Sequence, residues 1–149
     1  MKKIISKLIQ TTPEYSSLIM RLALGIMILP HGLQKTLGLF GGNGFAKTLE
    51  YFTNVEGFPI FIAVLPILAE SFGALGLIFG CLTRISAFGV GAVMLVAMIT
   101  QHLSHGFFMN WYGTQAGEGI EFFILAIGLS AALIIKGGGA LSIDRKLSI

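Results

Sequence analysis

The stretch FPIFIAVLPILAESFGALGLIF, residues 58–79, decides the fold, because Glu70 is its only charged side chain. A helix rises ~1.5 Å per residue, so ~20 apolar residues cover the ~30 Å hydrocarbon layer of a bilayer. The stretch has that length and no period-two alternation, which predicts a membrane-spanning helix and not a strand. No face of it is polar enough to meet water. Three further segments share this character, at about 17–39, 85–103 and 120–135. The link between residues 79 and 85 is so short that the second and third segments must form an antiparallel hairpin. The expected fold is all-α: a four-helix transmembrane bundle in a single domain, 1–149.

Composition agrees with this. Of 149 residues, 54 % are hydrophobic and 11 % charged, and the mean hydropathy is +0.84. A soluble domain is roughly a quarter charged, so neither a water-facing surface nor a disordered chain fits. The net charge of +3 contains no basic run longer than Lys2-Lys3, which argues against a nucleic-acid partner. The partner implied is the lipid bilayer. A lone cysteine, Cys81, excludes an internal disulfide and a C-x-x-C redox pair. Residues 1–10 carry three lysines, like the n-region of a signal peptide, but no small-x-small cleavage site closes a short apolar stretch, so they are read as retained.

Lys and Arg set the orientation. Lys2, Lys3, Lys7, Arg84, Lys136, Arg145 and Lys146 fall on one side of a chain that crosses four times. The positive-inside rule places that side, and both termini, in the cytoplasm. In the first outer loop, Phe45, Leu49 and Phe52 share a helical face, which predicts a short amphipathic helix. Phe108, Trp111 and Tyr112 in the second outer loop suit the headgroup level. Gly73, Gly76 and Gly80, with Gly89, Ala92 and Ala97, permit close helix approach. Pro66 cannot donate to the Ile62 carbonyl, which predicts a bend one turn before Glu70.

Ionisable side chains in hydrocarbon are costly, and each is therefore a functional hypothesis. By depth, Glu70 lies near the midplane, and His31, Glu121 and His102 in the outer half. Lys35, His105 and Glu118 lie at the outer boundary, and Arg21 two turns inside the cytoplasmic end. His31 and Lys35 are i,i+4 neighbours; Glu118 and Glu121, and His102 and His105, are i,i+3 neighbours. Glu70 needs a partner, for which His31 and Arg21 are the expected choices. Carboxylate and imidazole groups so placed can relay protons for a lipid-soluble quinone. The same groups could hold a metal ion, but no H-x-x-x-H or E-x-x-H lies inside a span, so no metal ligands are assigned. Alternatively, the charges only pair and fix helix register.

Several elements together resemble the DoxX/DoxD family of small bacterial membrane proteins. They are Arg21-x-x-x-Gly25, His31-Gly32-x-x-Lys35, Gly41-Gly42-x-Gly44, Glu70 with Gly73 and Gly76, and Leu82-Thr83-Arg84. Met98 before His102, Gly106-Phe107, Gly119-x-Glu121 and Gly139-x-x-Ser142-x-Asp144 complete the set. The similarity spans about residues 16–147. It implies a four-span module of the bacterial cytoplasmic (inner) membrane, associated in some members with a thiosulfate:quinone oxidoreductase. The implied function is a membrane subunit of a quinone-linked redox system, with quinone as cofactor or substrate and a soluble redox protein as partner. His31, Lys35, Glu70, His102 and Glu121 match the family's polar positions and are the expected catalytic residues, with Arg21, Glu118 and His105 in support. A non-catalytic small-molecule carrier, which would need a homo-oligomer for room, and a membrane scaffold for a soluble partner are the alternatives.

Overall fold

A computed structural model describes residues 2–148, with side chains from Ser6 onward; the side chains of Lys2 and Lys3, counted above for orientation, lie outside that set. Among the described residues there is no strand. Eight α-helices follow in order: α1 (Lys2–Ile9), α2 (Tyr15–Leu37), α3 (Gly44–Glu50), α4 (Ile60–Leu68), α5 (Ala74–Phe79), α6 (Thr83–Ala97), α7 (Glu121–Lys136) and α8 (Ile143–Ser148). A wide π turn at Ala69–Gly73 joins α4 to α5 in one continuous helix, and another at Met98–His102 extends α6. Among the described residues three helices are long and apolar enough to cross a membrane: Tyr15–Leu37, Ile60–Phe79 and Thr83–His105. Each starts and stops within about two residues of its expected bounds. The fourth apolar segment is the 16-residue α7, about 24 Å long at 1.5 Å per residue.

One core unites all four segments. Leu24 and Ile28 of α2, Ala74 and Leu77 of α5, Ala87, Val90 and Met94 of α6, and Phe123, Ala126 and Leu133 of α7 form it. Large apolar side chains also cover the outside, among them Ile19, Ile26, Phe61, Phe72, Phe88 and Leu125. An apolar exterior around an apolar interior is what a lipid solvent selects, since lipid tails are as apolar as leucine.

The two ends of the molecule differ. At one end the chain termini meet: the Arg84 guanidinium donates to the carbonyls of Gln10 (3.1 Å) and Ile135 (3.0 Å), and Lys136 pairs with Glu14. At the other end α7 begins beside the 106–120 loop, where Ile120 and Glu121 donate backbone N–H groups to the carbonyls of Gly106 (3.1 Å) and Phe107 (2.9 Å). α7 therefore runs from one end to the other. The expected amphipathic helix is present as α3 and its π-turn extension Tyr51–Val55, but its buried residue is Thr48, while Phe45 stays largely exposed.

The terminal end is held by two buried charges. Arg21 is 1 % exposed. Its guanidinium donates to the carbonyls of Gly138, Ala140 and Leu141 (each 3.0 Å), Leu77 (3.2 Å) and Ile78. The helix ends at Gly80 in a left-handed turn (φ +65°), so its last carbonyls lack the full set of intrahelical donors; Leu77 accepts from the Gly80 N–H at 3.2 Å, and the guanidinium serves Leu77 and Ile78 in addition. Asp144, equally buried, accepts from the backbone N–H groups of Leu82 (2.7 Å) and Thr83 (2.8 Å) and so caps the start of α6. Residues 137–140 are all buried, so the segment after α7 is part of the core assembly and not a free tail.

Candidate functional site

Near the end remote from the termini, a cavity of about 300 Å³ is lined by His31, Lys35, Glu70, His102 and Glu118, together with apolar residues that include Met94 and Phe123. Five of the eight polar residues singled out from the sequence thus share one space. Glu70, 4 % exposed, forms an ion pair with Lys35. The expected partners, His31 and Arg21, do not take this role: Arg21 is engaged with backbone carbonyls at the other end of the molecule. Lys35 can reach Glu70 because α2 lies almost backbone to backbone against the π turn at Gly32. A Cβ on Gly32 would collide with the Glu70 carbonyl and come within 2.7 Å of the Ser71 Cα. Ser71 Oγ donates to the Gly32 carbonyl at 3.2 Å and closes the contact.

Of the three π turns, the two at Ala69–Gly73 and Met98–His102 each carry a residue of the chamber. Pro66 lies one turn before Glu70, and the helix widens into a π turn directly after that proline-interrupted turn. Such a turn inserts an extra residue into the helical register and re-aims the side chains within it, a feature frequent at functional sites. The second π turn ends with His102. The His102 ring contacts the Glu118 carbonyl through Nδ1 at 2.9 Å and packs on Phe123 with ring centroids 4.3 Å apart. Helix geometry changes again at Leu103–His105, a 3₁₀ turn, so His102 and His105 do not keep the i,i+3 relation of a continuing α-helix. The two rings sit edge to face, 6.3 Å between centroids.

The acidic pair in the fourth segment is divided between helix and loop. Glu121 is the first residue of α7 and Glu118 lies in the loop before it, so they do not share a helical face. Glu121 is not among the cavity-lining residues. Its carboxylate accepts from the backbone N–H of Met109 (2.9 Å) and the Trp111 indole (3.2 Å) and fastens the loop over the site. Glu118 accepts from the backbone N–H of Asn110 at 2.6 Å. Among the described residues no group of three His, Cys, Asp or Glu side chains is arranged to hold a metal ion. Asp144 was quoted only as part of a family pattern; its helix-capping role had no sequence signal, because it caps a helix about sixty residues earlier in the chain.

A second, larger space of about 1480 Å³ adjoins the first. It is an open groove along the outside of the helix pair 60–79 and 83–105, and Lys35, Glu70, His102 and Glu118 line it as well as the cavity. His31 borders the cavity alone, while His105 borders the groove alone. The site is therefore an apolar vestibule leading to a small polar chamber.

Residues 16–103, more than half of the chain, match the family model described as DoxX. The chain is also 29 % identical over 131 residues to "Putative oxidoreductase CatD" of Bacillus subtilis (strain 168), covering 88 % of this chain and 86 % of that protein. No solved structure matches it.

Proposed function

Since this chain belongs to the DoxX family, we propose that it is a membrane subunit of a quinone-linked redox system in the bacterial cytoplasmic membrane, crossing four times with both termini in the cytoplasm. The orientation rests on Arg84 and Lys136, which lie at the terminal end with the rest of the basic residues that follow α7. A fourth crossing rests on α7 reaching from one end of the molecule to the other. The similarity to a protein whose name says oxidoreductase supports the reaction class.

The observation that carries the reading is the convergence of Lys35, Glu70, His31, His102 and Glu118 on one chamber with an apolar approach. Reducing a quinone adds two electrons and two protons, and charge develops on the ring oxygens before the protons arrive. In this reading the electrons come from a soluble redox partner. Glu70 and His31 exchange the protons, since each can hold one at a modest cost. The Lys35 ammonium, paired with Glu70, turns to the developing oxyanion when the head group arrives. His102 positions the head group, and Glu121 keeps the covering loop in place through Met109 and Trp111. Arg21 and Asp144 hold the scaffold.

The test is binding of menadione, a quinone without a tail, to the purified protein in detergent. Saturable binding is expected, weakened at least about tenfold by the double substitution Lys35→Met with Glu70→Gln, the equivalent of losing one good polar contact. Saturable binding that survives the double substitution would move the site elsewhere. No binding at all would remove the redox reading and leave a scaffold.

A further inference from the structure

We infer that the groove along the helix pair 60–79 and 83–105 is the seat of a polyisoprenoid tail, so that the ligand is a long-tailed quinone reaching the chamber sideways from the bilayer. The inference rests on the quinone reading above and goes beyond it, since a head-group chamber alone would accept a quinone from either water or lipid. Three observations lead to it. The groove is lined mainly by apolar side chains; Lys35, Glu70, His102 and Glu118, which it shares with the chamber, are joined by Glu56, Thr100, Gln101 and His105, while Ser86 is a polar member further along. An occupant must then be polar at one end and apolar along the rest. The volume, about 1480 Å³ against about 300 Å³ for the chamber, far exceeds what a bicyclic head group needs. From Glu70 to Phe79 the groove wall rises about 14 Å at 1.5 Å per residue, enough for several isoprene units.

The third observation concerns the floor. Gly73 and Gly89 are helical, and neither has a backbone conformation that calls for glycine. Nor does helix packing call for it. A Cβ on Gly89 would meet Ala69 Cβ at 3.5 Å, and one on Gly73 would meet Val90 Cγ2 at 3.4 Å, both ordinary contacts. Glycine in a helix interior costs roughly 1 kcal/mol relative to alanine, and here the cost leaves the floor of the groove bare. Gly32 stands in contrast, since a neighbouring backbone fills the space its side chain would need. An open floor continuous with the polar chamber fits a chain threaded along it.

The experiment measures binding of menadione and of a menaquinone with a long isoprenoid tail to the protein in nanodiscs of saturated phosphatidylcholine. The variants are Gly89→Leu and Ala92→Leu, which fill the floor, and Gly128→Leu on α7, a position where an added Cβ meets nothing within 4 Å and which does not line the groove. Wild type should bind the tailed quinone at least about tenfold more tightly than menadione at equal mole fraction in the bilayer, because a seated tail adds van der Waals packing against a fixed groove, the force that drives association in lipid. Either floor variant should abolish that preference while leaving menadione binding unchanged; Gly128→Leu should change neither. The inference is overturned if wild type shows no preference, or if both floor variants keep it, in which case a lipid acyl chain occupies the groove. Parallel loss of both ligands in Gly89→Leu and Ala92→Leu, with each variant still folded, overturns it too, because the groove would then not be separate from the chamber. Failure of the quinone reading looks different: menadione binding is then absent, or indifferent to the Lys35→Met/Glu70→Gln change.

Discussion

The Lys35–Glu70 pair yields an asymmetric double-mutant cycle. The lysine side chain is 24 % exposed and the glutamate side chain 5 %. Removing one member of a buried pair leaves the other charge uncompensated, at a cost of about 3–5 kcal/mol. Lys35→Met leaves the carboxylate in the most enclosed place and should suffer that full cost. Glu70→Gln leaves an ammonium on a long flexible stem, which can swing its head toward the mouth of the cavity. Its cost should be roughly 1 kcal/mol, nearer that of an exposed ion pair. The double variant buries no charge and should lie within about 1 kcal/mol of wild type, since replacing both members of a buried pair is often neutral. The coupling is then at least about 3 kcal/mol and centred near 4–5 kcal/mol, at or above the upper end for residues in contact. Thermal unfolding in detergent at neutral pH, followed by circular dichroism, reads this directly. For a chain of this size each kcal/mol moves the midpoint by roughly 2–4 °C, so Lys35→Met should melt about 10 °C early and the double variant close to wild type. Equal losses from the two single substitutions, or a double variant as unstable as their sum, would refute the reasoning.

Asp144→Ala removes the acceptor for two buried N–H groups at the start of α6 and should cost about 2 kcal/mol, the upper end for a helix cap; an unchanged melting midpoint would show that the cap is dispensable. Trp111 is the single tryptophan of the chain and is 78 % exposed beside Tyr112 at 90 %. Its fluorescence should be quenched by lipids brominated near the headgroup and little by those brominated at the chain ends, whereas quenching by aqueous iodide alone would place the loop outside the membrane. Glu14 is held below its usual titration range chiefly by its hydrogen bond to the Lys136 ammonium, helped by the hydroxyls of Thr12 and Ser16. Because the folded value is the lower one, its contribution to stability is complete above the unfolded carboxylate range, near pH 4.5, and fades as pH falls through the folded value. Lys136→Gln should remove that contribution where it is complete, so stability falls slightly at pH 7, the profile flattens across the acidic window, and the variant meets wild type at the acid end; a profile indistinguishable from wild type throughout would refute the assignment.

How much of this could be read from the sequence follows from what each inference needed. Hydrocarbon imposes length and composition on any helix that crosses it, so the apolar segments were legible almost to the residue. The expense of a charge in that medium also identified Glu70, His31, Lys35 and His102 before any geometry was known. Which charges meet was not legible, because it depends on helix rotation. The two π turns, at Ala69–Gly73 and Met98–His102, change the helical register at two of the residues concerned. Glu118 and Glu121 were paired by their i,i+3 spacing although the expected fourth segment begins at about 120, and that spacing has no helical meaning for a residue that precedes the helix. Arg21 was expected as a partner for Glu70 on depth alone, and depth does not reveal five backbone carbonyls waiting at the other end of the core. The helices α1 and α8, at 8 and 6 residues, are too short for periodicity to reveal and exist by docking against the terminal end.

The burial of Arg21 has a bearing on how the protein is made. Three of its hydrogen-bond partners lie 117 to 120 residues further along the chain. At roughly 5–20 residues per second of synthesis, α2 waits on the order of ten seconds with its guanidinium incompletely satisfied. Completion of that one side chain's shell is thus a late event in biogenesis, and it signals that the chain has been made through residue 141. A nascent or prematurely stopped chain would still display a bare arginine inside the bilayer, the kind of defect by which membrane quality control can tell an unfinished protein from a finished one.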